Sequence, residues 1–241
     1  MKHSNVIILT LALAAMSSCL VSSLHPFFKK GDKFFDTTLV GYWMDGDSCI
    51  WTILPNMKSE TLMRSEKHDS SYVITYYEED NRYSVLTGTL FQLNSVEYVD
   101  FIPDPNEGHF TSDMSGFHHV PVHTLARVLY NKDSILLYWY GDDWLNELFE
   151  QNRIRIKHEK VDALDYDRHV LTADTDELQK FIKKYANDPK TVEDIEAIFA
   201  RGNTNGEEDM GVFLKLKPYN GPLPAHAQKQ DSPGRDEIHG S

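Results

Sequence analysis

The sequence predicts a mainly β protein with α additions, built as an antiparallel up-and-down barrel of about eight to ten strands with two C-terminal flanking helices. The first observation is a pair of apolar runs, 39–44 and 48–54, on either side of Asp45-Gly46-Asp47. A glycine-containing turn between such runs is typical of a β-hairpin. The second observation is that short apolar runs alternate with turns up to about Thr172. The third is a change to helical periodicity after that residue.

The N-terminus has the layout of a secretion signal. Lys2 and His3 precede an apolar stretch at residues 6–15, and small residues follow it. The stretch is shorter than the roughly 18 apolar residues that a spanning helix needs. We therefore expect residues 1–18 to be a signal peptide and the protein to be exported.

Directly after the apolar stretch, Met16-Ser17-Ser18-Cys19 resembles the lipobox of bacterial lipoproteins, with Met16 in place of the usual Leu. The resemblance implies that Cys19 is the lipid attachment site, carries acyl chains such as palmitate, and anchors the protein in the cell envelope. The anchored protein is then expected to face the periplasm or the cell exterior, and residues 19–38 to form the lipidated N-terminus and a tether. The alternative is ordinary signal cleavage between Ser18 and Ser23, without a lipid.

Cys49 is the second of two cysteines. If Cys19 is lipidated, Cys49 has no partner within the chain, and we interpret it as a small apolar strand residue. A reactive thiol is the less favoured interpretation, because no local motif supports it.

The strands follow from alternation and turn residues. After the first hairpin we expect strands at residues 72–77, 83–93, 96–102, 119–130, 134–140, 153–158, 167–172 and 210–217, with a loop at 103–117. Gly88 lies inside one of these strands, which indicates a bulge or sharp coiling. The run at 134–140 is apolar on both faces, so another element must cover the outer face of the barrel there.

Helical spacing predicts the covering elements. Asp142-Asp143 begins a helix of one or two turns. Leu178, Phe181, Ile182 and Tyr185 form an apolar stripe on a helix near 174–187, which Asp174 and Glu177 cap. A second C-terminal helix is expected near 191–201. The barrel domain then spans residues 39–217, and the proline-rich tail at 218–241 is expected to be disordered.

The densest polar constellation is His109, Asp113, His118, His119 and His123. In a strand, His119 and His123 share a face but stand about 13 Å apart, too far to bind one metal ion without a bend. We therefore expect no metal and no cofactor, with these histidines solvated or hydrogen bonded at a barrel rim. The acidic groups Glu78-Glu79-Asp80 and Asp142-Asp143 are interpreted as solvated turn charges and as the first turn of a helix, respectively.

Gly41-Tyr42-Trp43 matches the G-x-W pattern at the first strand of lipocalins. His119-Val120-Pro121-Val122-His123-Thr124, Asp143-Trp144-Leu145 and the stretch 171–181 resemble a group of uncharacterised bacterial lipoproteins, and the resemblance covers residues 39–201. These resemblances imply a lipocalin-like (calycin-like) barrel in the cell envelope. They imply no activity.

The formal net charge of -13 repels phosphate backbones, so nucleic-acid binding is not expected. The favoured function is a lipid-anchored envelope lipoprotein that binds a small apolar ligand or an envelope partner without catalysis. One alternative is a hydrolase-type enzyme that uses the histidine-containing loop 103–123. Another is a scaffold with a filled barrel. An open interior would favour ligand binding, a packed one the scaffold, and convergent histidines beside an opening the enzyme.

Overall fold

Eight antiparallel strands close into a barrel in the computed structural model, as the sequence predicts. The structure describes residues 20–56, 70–78, 82–104, 120–163, 166–188, 191, 195–196, 206–208 and 211–224. The strands are β1 (Ser22–Ser23), β2 (Gly41–Met44), β3 (Ile50–Pro55), β4 (Tyr72–Tyr77), β5 (Tyr83–Leu93), β6 (Val96–Pro103), β7 (His123–Tyr130), β8 (Ile135–Tyr140), β9 (His158–Ala163), β10 (Tyr166–Leu171), β11 (Gly206–Glu208) and β12 (Gly211–Pro218). The helices are a 3-10 helix (Thr37–Leu39), α1 (Asp142–Glu150) and α2 (Thr175–Phe181), which continues as a π-helical turn (Ile182–Ala186).

The barrel consists of β2 to β8 and β12. Strands β2 to β8 pair in sequence order, and β12 pairs with both β8 and β2. The β12–β2 seam is short, with Lys217 opposite Met44 and Pro218 opposite Trp43. We call the end where β8 passes into α1 the α1 end, and the opposite end, where the 3-10 helix leads into β2, the 3-10 end.

Local chemistry at the turns sets the strand register. Asn94 and Ser95, between β5 and β6, both have positive φ, 50° and 65°, as a two-residue hairpin turn with the right-handed twist of its strands requires. In the β2–β3 turn, Asp45 Oδ1 accepts hydrogen bonds from the N–H groups of Asp47 and Cys49, each at 3.0 Å. The hairpin from which the fold was predicted is therefore held by its own turn residues.

Gly88 serves a different purpose from the expected bulge. The β4–β5 and β5–β6 ladders continue through it, opposite Tyr72 on one side and Phe101 on the other. A Cβ at this position would lie 2.5 Å from Ile74 Cδ1. A side chain at this position would therefore have to push aside the end of the Ile74 side chain, which fills the space over the strand.

Strand β8 is buried on both faces, as predicted, and it separates two apolar cores. Ile135, Leu137 and Trp139 belong to the interior core, whereas Tyr138 and Tyr140 belong to an outer core. The outer core lies between the barrel and the helices. Its chain of ring contacts runs from Tyr140 to Trp144 on α1 (4.9 Å between ring centroids) and on to Phe181 on α2 (5.6 Å).

The helices confirm the predicted covering layer. The stripe of Leu178, Phe181, Ile182 and Tyr185 is buried, and Asp174 caps α2 by accepting from the Glu177 N–H at 2.9 Å. The second C-terminal helix, expected at 191–201, lies largely outside the described residues. Thr191, Ile195 and Glu196 are helical there.

The expected strand at 153–158 is wrong. Residues 153–157 have no strand assignment, and β9 begins only at His158. The alternation there has another cause, because Ile154 is buried in the outer core and Ile156 packs against it while their neighbours face solvent. The expected strand at 119–130 likewise starts later, at His123. Strand β10 forms as predicted, but it pairs with β9 and β1 outside the barrel.

Two segments next to the barrel carry structure that the sequence did not predict. Within the expected tether, β1 lies between β7 and β10. At the other terminus, Tyr219 donates its N–H to Tyr42 O at 2.9 Å, so the chain still contacts the barrel after β12. Among the residues described, no helix has both the length and the apolarity needed to cross a bilayer.

Candidate functional site

The barrel interior, the expected site for a small apolar ligand, is filled by side chains. All eight barrel strands contribute to the interior core: Trp43, Trp51, Ile53, Tyr72, Ile74, Leu90, Val99, Phe101, Ala126, Val128, Ile135, Leu137, Trp139 and Leu216. Among the described residues, the cavity between these side chains measures about 20 Å³, which is room for about one water molecule. Drug-sized ligands occupy pockets of roughly 300–1,000 Å³.

At the 3-10 end, the segment before β2 closes the barrel. Leu39 is 4% exposed and joins the interior core, and its carbonyl accepts a hydrogen bond from Trp43 Nε1 at 3.0 Å. Asp36 accepts from the hydroxyl groups of Tyr130, through Oδ2, and Tyr72, through its main-chain carbonyl, each at 3.0 Å. Burial raises the pKa of Tyr72 to about 12, so its hydroxyl stays protonated.

At the α1 end, aromatic rings fill the barrel. Trp51 lies 4.7 Å from Tyr76 and 6.4 Å from Trp139 between ring centroids, and Phe101 lies 5.1 Å from Trp139. Trp51 Nε1 donates to Asp45 Oδ2 at 3.0 Å, which ties the cluster to the β2–β3 turn. The interior is therefore packed towards both ends.

His123 is the member of the predicted histidine constellation that lies within the described residues. It begins β7, and its Nδ1 lies 2.6 Å from Asp100 Oδ1 on β6. Asp100 is 1% exposed, and its Oδ2 accepts the Phe27 N–H at 2.8 Å. Burial raises the pKa of Asp100, while His123 and the Phe27 N–H act in the opposite direction. The pair orients the imidazole and also fastens the N-terminal segment to the barrel.

The other predicted site residues lie outside the described residues: Cys19, His109, Asp113, His118 and His119. That His109, His118 and His119 are solvated or hydrogen bonded at a barrel rim therefore stays a prediction. Within the described ranges, no group of three or more histidine, cysteine or carboxylate side chains is placed to hold a metal ion.

Cys49 lies on the β2–β3 turn as a free, half-buried cysteine. Burial raises the pKa of its thiol, which keeps it protonated and poorly nucleophilic. Glu78 forms an ion pair with Arg82 at 3.0 Å, in keeping with a turn charge.

The Asp142-Asp143 pair forms the first turn of α1, as expected. Asp143 is exposed, but Asp142 is 4% exposed and its Oδ2 faces the His169 N–H at 3.4 Å. Burial raises the pKa of Asp142. The first turn of α1 therefore places one carboxylate against β10 rather than in solvent.

Around Asp142, a polar cluster lies between α1 and the β9–β10 hairpin. Asp142 Oδ1, Asn146 Oδ1, Arg168 Nε and His169 Nδ1 are buried without a hydrogen-bond partner among the described residues. Phe149 lies beside His169, 5.1 Å between ring centroids. Water or another small polar molecule would satisfy these groups. The signal that was missed is the spacing of residues 142, 146 and 149, which puts them on one helix face.

A surface groove of about 450 Å³ runs along the β12–β2 seam at the 3-10 end. Its lining includes Thr38, Tyr42, Lys132, Tyr219 and Asn220. Sequence reasoning did not identify it, since its lining comes from three separate stretches of chain.

Comparisons with family models, curated proteins and solved structures found no match. The resemblance to a lipoprotein group is therefore not supported by a family model. The fold itself is a closed antiparallel barrel of eight strands, which is compatible with a lipocalin-like architecture.

Proposed function

We propose that this protein is a lipid-anchored lipoprotein of the bacterial cell envelope that binds an envelope partner through its outer surface, without catalysis. The observation that carries the proposal is the packed barrel interior, with a cavity of about 20 Å³. A lipid-sized ligand would have to displace several core side chains, and each large group removed from a core costs roughly 2–5 kcal/mol. Among the predicted functions, this favours partner binding and the scaffold over small apolar ligands.

The anchor is proposed from Met16-Ser17-Ser18-Cys19 and is supported by the burial of the nearby residues. Val21, Ser22 and Ser23 are 1%, 2% and 0% exposed. Ordinary cleavage after any of these three residues would remove buried groups from the folded protein. Cleavage before Cys19, which lipidation requires, would keep the segment and its strand whole, so the fold argues against the part of the alternative in which cleavage follows Val21, Ser22 or Ser23.

The surface offers two features to a partner. The groove at the 3-10 end has about 450 Å³ of open space. Leu129, on the outer face of β7, is 55% exposed. With a formal net charge of -13, the protein favours a neutral or basic partner.

The second candidate is a hydrolase, and the Asp100–His123 pair is the observation that favours it. A buried carboxylate on imidazole Nδ1 is the arrangement that orients a general base. We rank this second, because Asp100 also accepts the Phe27 N–H and so has a structural task.

One experiment tests the proposal with a single variant, Cys19→Ser. We expect it to leave the membrane fraction in detergent partitioning, because the acyl attachment atom is gone, and to fold, because Cys19 precedes β1. Native mass spectrometry of the released protein should then show the bare chain.

A variant that stays in the membrane fraction would contradict the anchor. A co-purified apolar molecule, bound in a one-to-one ratio, would restore the small-ligand function. The released protein could also hydrolyse a p-nitrophenyl ester and lose that activity when His123→Gln is added. That result would make the hydrolase the favoured function.

A further inference from the structure

We propose that the lipid anchor holds the α1 end of the barrel against the bilayer and points the 3-10 end, with its groove, away from it. This inference rests on the proposed lipidation of Cys19. The deciding quantity is the length of chain between the acyl groups and the first residue that is fixed to the folded domain.

The first residues after Cys19 are bonded into the domain. Leu20 forms a β-bridge with Gly141, and Val21 donates its N–H to Tyr140 O at 2.8 Å. Leu20 also packs against the interior core. The chain is therefore fixed one residue after the anchor, within the stretch that was expected to be a tether.

Further contacts hold the segment that follows Leu20 on the domain. Ser22 is paired with Thr124 on β7 and with Val170 on β10, so β1 has a neighbour on both sides. Leu24 donates its N–H to Leu171 O at 3.0 Å. Phe27 is fully buried in the outer core and its N–H is held by Asp100. Freeing any flexible length would mean breaking these hydrogen bonds and exposing the Phe27 ring.

The place of attachment decides the orientation. Gly141 directly follows β8, so the anchor leaves the domain at the α1 end. One residue spans at most about 3.8 Å between Cα atoms, whereas the six residues of β8 extend about 20 Å along the strand. The anchor therefore cannot reach as far as the 3-10 end, and that end stands further from the bilayer.

The charges at the α1 end favour contact with the membrane surface over insertion. Asp47 is exposed on the β2–β3 turn, and Glu78 lies at the end of β4. Carboxylates are costly to move into hydrocarbon. The partner that fits this end is therefore the headgroup layer of the bilayer that holds the anchor.

Energy transfer to labelled lipids tests the orientation. The full lipidated protein is reconstituted in phosphatidylcholine vesicles that contain rhodamine-labelled phosphatidylethanolamine. A donor fluorophore is attached to Asp47→Cys at the α1 end or to Asp133→Cys at the 3-10 end, each in a Cys49→Ser background. Both positions are exposed turn aspartates, so the two variants are matched in charge and location on a hairpin.

We expect transfer from residue 47 to exceed that from residue 133, because residue 47 lies at the α1 end, which carries the anchor, and residue 133 precedes β8 at the opposite end. Inserting ten Gly/Ser residues between Cys19 and Leu20 should remove most of the difference, since such a linker has a root-mean-square length of roughly 18 Å. Equal transfer from both positions without the linker would overturn the orientation while leaving the anchor intact. Failure of the protein to co-sediment with the vesicles would overturn the anchor and the orientation together.

Discussion

At the 3-10 end of the barrel, the Asp36 carboxylate connects three parts of the chain. Its Oδ1 accepts the Thr38 N–H at 2.8 Å and caps the 3-10 helix, and its Oδ2 accepts the Tyr130 hydroxyl. The Asp36 N–H donates to the Tyr72 hydroxyl at 2.8 Å. The hydrogen bond from the Thr38 N–H is the main cause that lowers the pKa of Asp36, and the Tyr130 hydroxyl acts in the same direction.

Asp36→Ala should lower the free energy of unfolding by about 1–2 kcal/mol at pH 7, because a helix cap and a hydrogen bond to a tyrosine are lost. A carboxylate whose pKa is lowered in the folded state stabilises the fold above its unfolded pKa of about 3.9, and this contribution is lost as the pH falls through the folded pKa. The difference between wild type and variant should therefore shrink at low pH. Urea denaturation at pH 7 and near pH 3 measures both values.

Asp36→Asn is the matched control, since the amide oxygen still caps the helix while the charge is gone. It should lose less stability than Asp36→Ala at pH 7. If the wild-type advantage over Asp36→Ala were the same at both pH values, the ionised carboxylate would have no part in closing this end.

At the scale of the elements, α2 is the predicted helix with the clearest stripe. Phe181 is 5% exposed and its ring lies 5.6 Å from Trp144 and 5.4 Å from Tyr185, between centroids. Phe181→Ala should cost roughly 3–5 kcal/mol, because it removes a large buried group and leaves a cavity. Thermal or urea denaturation checks this value.

Lys180→Ala is the control on the same helix, because Lys180 is exposed. It should leave the free energy of unfolding within about 0.5 kcal/mol of the wild-type value. Equal midpoints for wild type and Phe181→Ala would mean that α2 adds nothing to the stability of the barrel.

Longer elements, in which several residues report the same structure, were predictable from the sequence. Strand β5 forms at its predicted bounds, and the α2 stripe follows its pattern closely because its apolar spacing repeats over two helical turns. Strand β1 has two residues and no period, so nothing in the sequence indicates its pairing with β7 and β10. The segment at 153–157 shows the converse, because one-sided burial produces alternation without a strand.

The candidate site was less predictable than the fold for a related reason. Alternation shows which side chains point into a barrel, but not whether those from opposite walls meet. That depends on the barrel diameter and on how large rings such as Trp51 and Trp139 interleave. The Asp100–His123 pair joins two strands through a register that the sequence does not reveal.

For the whole molecule, the two cores share one wall, and β8 contributes to both. Its inward residues fill the barrel, and its outward residues receive α1 and α2. This arrangement makes the barrel a rigid support for its outer surfaces, including the groove at the 3-10 end. A filled interior is thus consistent with a function carried out at the surface.

Leu137→Ala tests whether the filled interior is what excludes apolar ligands. Leu137 is 3% exposed and lines the cavity of about 20 Å³, so its truncation should cost about 2–5 kcal/mol and create a dry cavity that binds benzene or xenon. Wild type should bind neither, as measured by ligand-detected NMR.

Leu136→Ala is the matched control, because the neighbouring leucine packs on the outer core and its loss opens no space inside. Benzene binding by wild type as tight as by Leu137→Ala would show that the barrel already admits ligands, and the proposed function would then return to small-molecule binding.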